Sequence, residues 1–338
     1  MPVDPSKIGE VLAAIEKKYG SEAVGSGVNY AGIPRIPTGS LELDWATGGG
    51  IPVGRWTRLW GGYSSGKSLT CWNTIREAQK LGLTCVYYNA EKQFDPDFTR
   101  DMGVDLDKLI IIHGSVIETL GAELEALLSV AHVHVIDSES QCVSLEEMNS
   151  NVADWHMGLN ARVWSKVIRR TAEKFDEHHN VGIIVSQARD SFGYGGGETP
   201  PGGRLMEHNS SLTIYFKRGG WLFYDENGVL KDKGKGSDTL SGKAEADGVE
   251  YVARVNKSRV CRPLRTAAMR YDFKKRQFDQ AFEYTKAAVF TGYVNQTSAG
   301  RFELEDGTKI HGAEKLRPHL DSDEHRAGIR DRLMKLAR

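Results

Sequence analysis

Cysteine is scarce in this chain of 338 residues: Cys71, Cys85, Cys142 and Cys261 are all there are. None falls in a C-x-x-C spacing, which excludes a zinc ribbon and a redox dithiol, and they read as buried thiols in a reducing compartment. No apolar run reaches the ~20 residues that a membrane-spanning helix needs. The N-terminal stretch has both charge signs and no apolar core, so it does not read as a signal peptide, and cytoplasmic residence is expected. An excess of one charge is also lacking, since 44 Lys and Arg face 45 Asp and Glu for a net charge of −1. Composition therefore announces no nucleic-acid binder, and any such surface must come from local clustering of Lys and Arg. There is no internal repeat.

What is present is an ordinary globular composition, 40% hydrophobic and 26% charged, in a chain long enough for one large core and small satellites. Ile8, Val11, Leu12, Ile15 and Tyr19 stand at helical spacing and predict a short amphipathic helix, broken by the Gly/Ser-rich stretch from Gly20 to Gly27. From Arg55 the pattern alternates. Strands are expected over Arg55–Trp60, Cys85–Asn89, Leu109–Ile112, Val133–Ile136 and Val181–Ser186. Helices are expected over Lys67–Lys80 (closed by Gly82), Glu118–Ala131 and Met157–Glu177. This order predicts an α/β fold with a mostly parallel sheet covered on both faces. Gly193–Gly203 and Lys231–Lys243 interrupt it; the second reads as a surface excursion. After Phe273 come a helical run from Gln280, a hairpin turning at Asp306–Gly307, and a charged helix from Asp323 with Ile329, Leu333 and Leu336 on one side. They predict a small α/β domain.

The segment Gly61-Gly62-Tyr63-Ser64-Ser65-Gly66-Lys67-Ser68 fits G-x-x-x-x-G-K-S/T between a strand and a helix. Such a loop turns its backbone N–H groups toward phosphate oxygens at the positive end of the following helix. Lys67 supplies a mobile charge to the β and γ phosphates, and Ser68 a hydroxyl to Mg²⁺. Asp137, at the end of an apolar strand, is placed to hold the magnesium water shell. Glu91, after the strand that follows the loop's helix, is placed to orient and deprotonate an attacking water. Gln187 ends a strand and leads into the Gly-rich segment, so its amide links a γ-phosphate to a loop. His178 and His179 read as complements to a helix C-terminus, and Trp72 and Trp164 as packing residues.

In order and spacing these motifs resemble the bacterial and phage RecA recombinases. The segments that carry the resemblance are IPTGSLELDWATGGGIPVGRW, GGYSSGKS, YYNAEKQFDP, VHVIDSES, HMGLNARVWSKVIRR, and IIVSQARD followed by ETPPGGR, and the similarity runs from about Ile15 to near the C-terminus. The resemblance implies a RecA-type core at 31–275 with two DNA-binding loops. It implies an N-terminal oligomerisation helix and linker at 1–30 and a C-terminal α/β domain at 276–338. It implies ATP and Mg²⁺ bound by Gly61 through Ser68, Leu69, Asp95, Phe98, Asp137 and Ser138, with Asp95 and Phe98 at the adenine. Glu91, Lys67, Gln187, Lys257 and Arg259 would be catalytic, the last two reaching the γ-phosphate of a neighbouring subunit. Met157, Gly158, Arg162, Ser165, Arg169, Arg189, Gly202, Gly203 and Arg204 would contact DNA, through loops at roughly Glu146–His156 and Arg189–Arg204. Phe192 and Tyr194 are the only aromatics of the second loop.

The sequence also departs from the family pattern. Arg259 stands where a second Lys is usual, Leu69 where a Thr is common, and Phe98 where a Tyr is usual. The chain ends in Lys335 and Arg338 without a long acidic tail, which with the divergence leans toward a phage origin. The expected activity is ATP-dependent DNA strand exchange by a helical filament or ring on single-stranded DNA, with duplex DNA as second partner. The alternatives are an accessory or helicase-like ATPase of the same core without strand exchange, and a non-catalytic filament protein.

Overall fold

The computed structural model describes residues 5–19, 32–151, 158–190, 198–199, 203–224, 230 and 246–337, without the side chains of 5–8, 19, 189–190 and 203–205. Two compact units are present, Met1–Pro34 and Arg35–Arg338. The first contains helix α1 (Pro5–Tyr19), which exposes Val11 and Leu12 and has Lys17 and Lys18 in its last turn, where they complement the helix dipole.

The second unit opens with β1 (Arg35–Ile36), α2 (Leu41–Thr47) and β2 (Ile51–Pro52). The Ser40 hydroxyl caps α2 by accepting from the Leu43 amide, and Gly48 closes it in the left-handed region. Then follow β3 (Arg55–Gly61), α3 (Lys67–Lys80), β4 (Cys85–Asn89), α4 (Pro96–Asp101), β5 (Leu109–Ile112), α5 (Ile117–Leu127), β6 (Val133–Asp137), α6 (Leu145–Asn149), α7 (Leu159–Glu177) and β7 (Val181–Gln187). The short pair β8 (Arg189–Asp190) and β9 (Glu198–Thr199), helix α8 (Gly203–Asn209) and four strands come next: β10 (Leu212–Leu222), β11 (Gly248–Ser258), β12 (Thr266–Asp272) and β13 (Gln277–Phe278). The chain ends with α9 (Gln280–Phe290), β14 (Val294–Ser298), β15 (Arg301–Leu304), β16 (Lys309–His311), α10 (Ala313–His319) and α11 (Asp323–Ala337).

A nine-stranded sheet organises this unit, in the order β13-β12-β11-β10-β3-β7-β6-β4-β5. From β10 to β5 every pair is parallel; β11, β12 and β13 extend the sheet antiparallel. The expected α/β architecture with a mostly parallel sheet is what forms. The central strands are buried on both faces and largely apolar, as a covered parallel sheet requires. Alternation sorts the residues. Leu59, Tyr87, Val133, Val135, Ile183 and Val185 pack with Cys71, Trp72 and Ile75 of α3. Tyr88, Ile136 and Ile184 pack on the other face with Leu120 and Leu124 of α5 and Trp164, Ile168 and Phe175 of α7. Trp72 and Trp164 are packing residues, as expected. Cys71, Cys85 and Cys142 are buried.

The structure differs from the sequence reading at several boundaries. The helix expected to reach Ala131 stops at Leu127, and α7 begins at Leu159 after Gly158, whose positive φ of 74° breaks the turn. Leu336 is 54% exposed; Ile329, Leu333 and Ala337 form the buried side of α11 instead. Strands β10 to β12 have no counterpart in the sequence reading. Gly20–Gly27 and Lys231–Lys243 lie outside the described residues.

The C-terminal elements have an apolar cluster of their own, including Ala288, Val294, Phe302, Leu316 and Ile329, joined by Leu41 of α2. Two buried carboxylates add direction to this packing. Glu283 of α9 accepts from the Ser40 hydroxyl at 2.8 Å and the Leu41 amide at 2.6 Å, so it caps α2 from across the fold. Asp44 of α2 accepts from Arg330 of α11 at 2.9 Å and from the Thr38 amide and hydroxyl. Burial pushes the Glu283 carboxyl up to about 8, against the pull of the Ser40 hydroxyl and the Leu41 and Glu42 amides. A folded value above the unfolded one stabilises at low pH, and that contribution is lost as pH rises through about 8. Glu283→Ala should therefore cost roughly 2–4 kcal/mol, because it strands the Ser40 and Leu41 donors. Glu283→Gln should flatten the fall in urea midpoint that the wild type shows between pH 6 and pH 9, on either side of that value.

Candidate functional site

Strands β3, β7, β6 and β4 run parallel, so their C-terminal ends lie along one edge of the sheet, where open α/β sheets bind ligands. Gly61 stands opposite Gln187, and Asn89 opposite Asp137. The loop after β3, Glu91 after β4, Asp137 and Gln187 thus share that edge.

The loop from Gly61 to Ser68 feeds into α3. The Lys67 ammonium is buried and donates to the Gly61 carbonyl at 2.9 Å, the Gly62 carbonyl at 2.6 Å and the Ser65 hydroxyl at 3.3 Å. Burial pushes its pKa down, and the nearby Asp137 and Glu91 carboxylates oppose that shift. Two glycines set how tightly the loop sits. Gly61 has φ 150°, and a Cβ there would lie 2.1 Å from the Phe216 carbonyl oxygen; Gly66 has φ 95°, with a Cβ 2.9 Å from the Tyr251 ring. Both walls come from β10 and β11, which the sequence reading had not assigned. Ser65 is buried, Tyr63 and Ser64 are exposed with Ser64 at φ 50°, and the Leu69 side chain packs against the core.

Asp137 is 3% exposed and accepts from the Tyr87 hydroxyl at 3.1 Å and from the Ser68 hydroxyl. Burial pushes it up to about 6, helped by Glu91 and opposed by Ser68, Tyr87 and Lys67. The Asp137–Ser138 peptide bond is cis. One oxygen of Glu91, Oε1, accepts from the Ser138 hydroxyl at 2.6 Å and from the Gln187 side-chain amide at 2.7 Å. The Gln187 backbone amide donates to the Ser140 hydroxyl at 3.0 Å.

The donor set fits a magnesium-bound triphosphate. A loop whose Gly61 and Gly66 are closed to a Cβ, with a buried ammonium, suits phosphate oxygens. A serine hydroxyl already bonded to a buried carboxylate, Ser68 on Asp137, suits the hydrated cation. Glu91, held beside them, suits the attacking water.

The other expected residues divide. Asp95 caps α4 through the Asp97 and Phe98 amides, each at 3.0 Å, and the half-buried Phe98 ring has the Arg276 guanidinium 5.5 Å from its centroid. On α7, Arg162 and Arg169 are exposed, while Ser165 is buried with its hydroxyl donating to the Ala161 carbonyl at 2.7 Å. Gly203 and Arg204 lie in α8 and Arg189 in β8. Met157, Phe192, Tyr194 and Gly202, and the side chains of Arg189 and Arg204, lie outside the described residues.

Lys257 and Arg259 are the residues that this edge does not gather. Strand β11 runs back antiparallel, so Lys257 pairs with Thr213, which is level with Arg58, while Gly61 is level with Phe216 and Ala253. They lie toward the opposite edge, a separation of about 10 Å along the strand direction for Lys257 and more for Arg259. Lys257 donates to the carbonyls of His208 at 3.3 Å and Ser210 at 3.0 Å, and so caps the end of α8. Arg259 is exposed.

Several contributors escaped the sequence reading: Tyr87, Ser140, Tyr251, Arg276 and Glu198. The Glu198 carboxylate accepts from the Tyr215 hydroxyl and would stand 3.2 Å from a Cβ on Gly62, so it borders the phosphate loop. These residues meet through sheet pairing or long-range folding, and no local spacing announces them.

Residues 6–275 match the RecA N-terminal domain family. The chain is 31% identical to Protein RecA of Thermus aquaticus over 340 residues, covering 96% of this chain and 94% of that protein. It is 30% identical to Protein RecA of Fusobacterium nucleatum over 322 residues, covering 92% and 79%, and 30% identical to Protein RecA of Thermus thermophilus over 336 residues, covering 95% and 92%.

A cation held at Asp137 would require the ionised carboxylate, so Mg²⁺ would compete with a proton there below about pH 6. Without the cation, the raised value means that Asp137 stabilises the fold at low pH, a contribution lost as pH rises through about 6. Titration of a fluorescent ATP analogue with and without Mg²⁺ should show the magnesium-dependent gain shrinking by up to about tenfold per pH unit in the acid range. Asp137→Asn should bind with little magnesium dependence at any pH. A magnesium effect equal at pH 5 and pH 8 in the wild type would contradict this role.

Proposed function

The chain belongs to the RecA family, a recombination-related ATP-dependent ATPase family, and from that premise we propose that it is a DNA-dependent ATPase that exchanges DNA strands as a filament on single-stranded DNA. One observation carries this reading. The Glu91 oxygen beside the phosphate loop is held by Gln187, and Gln187 is the last residue of β7 before the segment expected to contact DNA. A change at the γ-phosphate position and a change in that segment then act on the same amide.

In this mechanism the loop amides and Lys67 hold the triphosphate, and Ser68 and Asp137 hold the magnesium water shell. The cation, when bound, neutralises phosphate charge. Glu91 orients the attacking water and takes its proton. Asp95 and Phe98 border the adenine. Lys257 and Arg259 act on the nucleotide of the adjacent subunit, a reading supported by their place toward the far edge of the sheet from their own phosphate loop. Hydrolysis therefore requires assembly. Arg259 offers a bidentate fork to the γ-phosphate. Arg162 and Arg169, exposed on one helix, hold the DNA backbone together with the loop residues, and base pairing with an incoming duplex supplies sequence recognition.

A D-loop assay with and without ATP tests strand exchange directly, and product formed equally without nucleotide would sink the proposal. Lys67→Ala should abolish ssDNA-stimulated ATP hydrolysis. Arg259→Ala should lose hydrolysis by at least about a hundredfold while the isolated subunit still binds nucleotide. Mixing the two variants should restore part of the activity, since each Arg259→Ala site would receive an intact arginine from a Lys67→Ala neighbour. A mixture as inactive as its components would refute action between subunits.

A further inference from the structure

Three polar side chains form a closed ring beneath the site. The Arg58 Nε donates to the Ser186 hydroxyl at 2.8 Å, Ser186 donates to Glu139 Oε1 at 2.8 Å, and Arg58 Nη2 donates to the same Oε1 at 2.7 Å. Arg58 and Ser186 are each 0% exposed and Glu139 is 5% exposed. A buried ion pair adds little to stability over well-packed apolar residues, so its presence beneath the reacting groups calls for another explanation.

Its location supplies one. The β6–β7 ladder ends at Ile136 opposite Ile184, whereas the β3–β7 ladder continues to Gly61 opposite Gln187. The end of β7 therefore projects past its β6 pairing, at the point where Gln187 must meet Glu91. Side chains take over from the ladder there. Glu139 holds Ser186, the residue before Gln187, and Ser140 accepts from the Gln187 amide at 3.0 Å. Glu139 also follows Ser138, the second donor to Glu91 Oε1. Arg58 belongs to β3, three positions before Gly61, and ties the ring to the strand that launches the phosphate loop.

We propose that Arg58, Glu139 and Ser186 are positioning residues that set the distance from Gln187 and Ser138 to the Glu91 carboxylate, and through it the hydrolytic competence of the site. This rests on the reading of Glu91 and Gln187 as reacting groups. All three are buried, and none lies in the phosphate loop. Their effect is geometric, and losing it should lower turnover without weakening nucleotide binding.

The test compares the full-length wild type with Arg58→Met/Glu139→Leu, which replaces both charges at once and so leaves neither buried alone. The expected result is a fall in kcat for ssDNA-stimulated ATP hydrolysis of about tenfold or more. The affinity for a fluorescent ATP analogue should stay within about twofold of wild type, which also reports that the variant is folded. Unchanged kcat in a folded double variant would overturn the proposal. Should the double variant fail to fold, Ser186→Ala serves, since it opens the ring while leaving the Arg58–Glu139 bond in place. A second readout needs no activity: hydrogen exchange at the Gln187 amide of the nucleotide-free protein should accelerate by about tenfold in either variant as the strand end loosens. Exchange at the wild-type rate would equally overturn the proposal. If the wild type shows no ssDNA-stimulated hydrolysis, the proposed function fails on its own, and the Gln187 exchange rate still decides whether the ring positions the strand end.

Discussion

Strand polarity is the constraint from which the rest of the molecule follows. A parallel strand delivers its C-terminal end to the same edge as its neighbours, and β3, β4, β6 and β7 each deliver part of the candidate site there. The phosphate loop, Glu91, Asp137 and Gln187 converge without any contact in sequence. The antiparallel strand β11 runs the other way and carries Lys257 and Arg259 toward the far edge. The same sheet thus separates Lys257 and Arg259 from the phosphate loop of their own chain. Topology places Lys257 and Arg259 apart from their own phosphate loop, which is what the proposed action on a neighbouring subunit starts from.

Gathering charge at a sheet edge has a cost, and the structure shows how it is limited. Lys67, Asp137, Arg58 and Glu139 are all less than 10% exposed. They are two cations and two anions. Arg58 and Glu139 form a direct ion pair at 2.7 Å. Lys67 relies on loop carbonyls, and Asp137 on the Tyr87 and Ser68 hydroxyls, so neither has a full counter-ion in contact. The opposite pKa displacements of these two groups, Lys67 downward and Asp137 upward, have the same cause in desolvation. A triphosphate with its cation would relieve both. One pair is joined by a direct ion pair, whereas Lys67 and Asp137 rest on neutral donors and acceptors.

The sequence made one half of this legible. Apolar runs of five to seven residues, glycine punctuation and the G-x-x-x-x-G-K-S/T spacing located β3, α3, β4, β6 and β7 and the residues at their ends. These signals are local, because a covered parallel strand is apolar throughout and a phosphate loop is contiguous. The other half depended on pairing. Strands β10 and β11 have burial broken by Lys217, Arg254 and Asn256, so they lack the continuous apolar signature. Their role as the wall behind Gly61 and Gly66 appears only once the sheet is assembled. Arg58 illustrates the same limit. An arginine inside a strand reads as an exposed position, and only Glu139 and Ser186, 81 and 128 residues away, make it a buried one.

The C-terminal elements extend this logic to the fold's outer edge. Apolar contact between Leu41 and the cluster around Ala288 and Leu316 would hold them near α2 but would not fix their rotation. Direction comes from hydrogen bonds and an ion pair. Glu283 addresses the N-terminal amides of α2, and Asp44 within that helix addresses Arg330. Arg265 adds a third tie by donating to the Ala337 carbonyl at 2.8 Å while its guanidinium lies over the Trp45 ring. Helix α2 leads through β2 into β3, the strand that ends in the phosphate loop. The element that the C-terminal part grips is therefore the one that enters the nucleotide edge. Glu283, pushed up to about 8 by burial, divides the α2 N-terminus with Ser40: it takes the Leu41 and Glu42 amides, and the Ser40 hydroxyl takes Leu43.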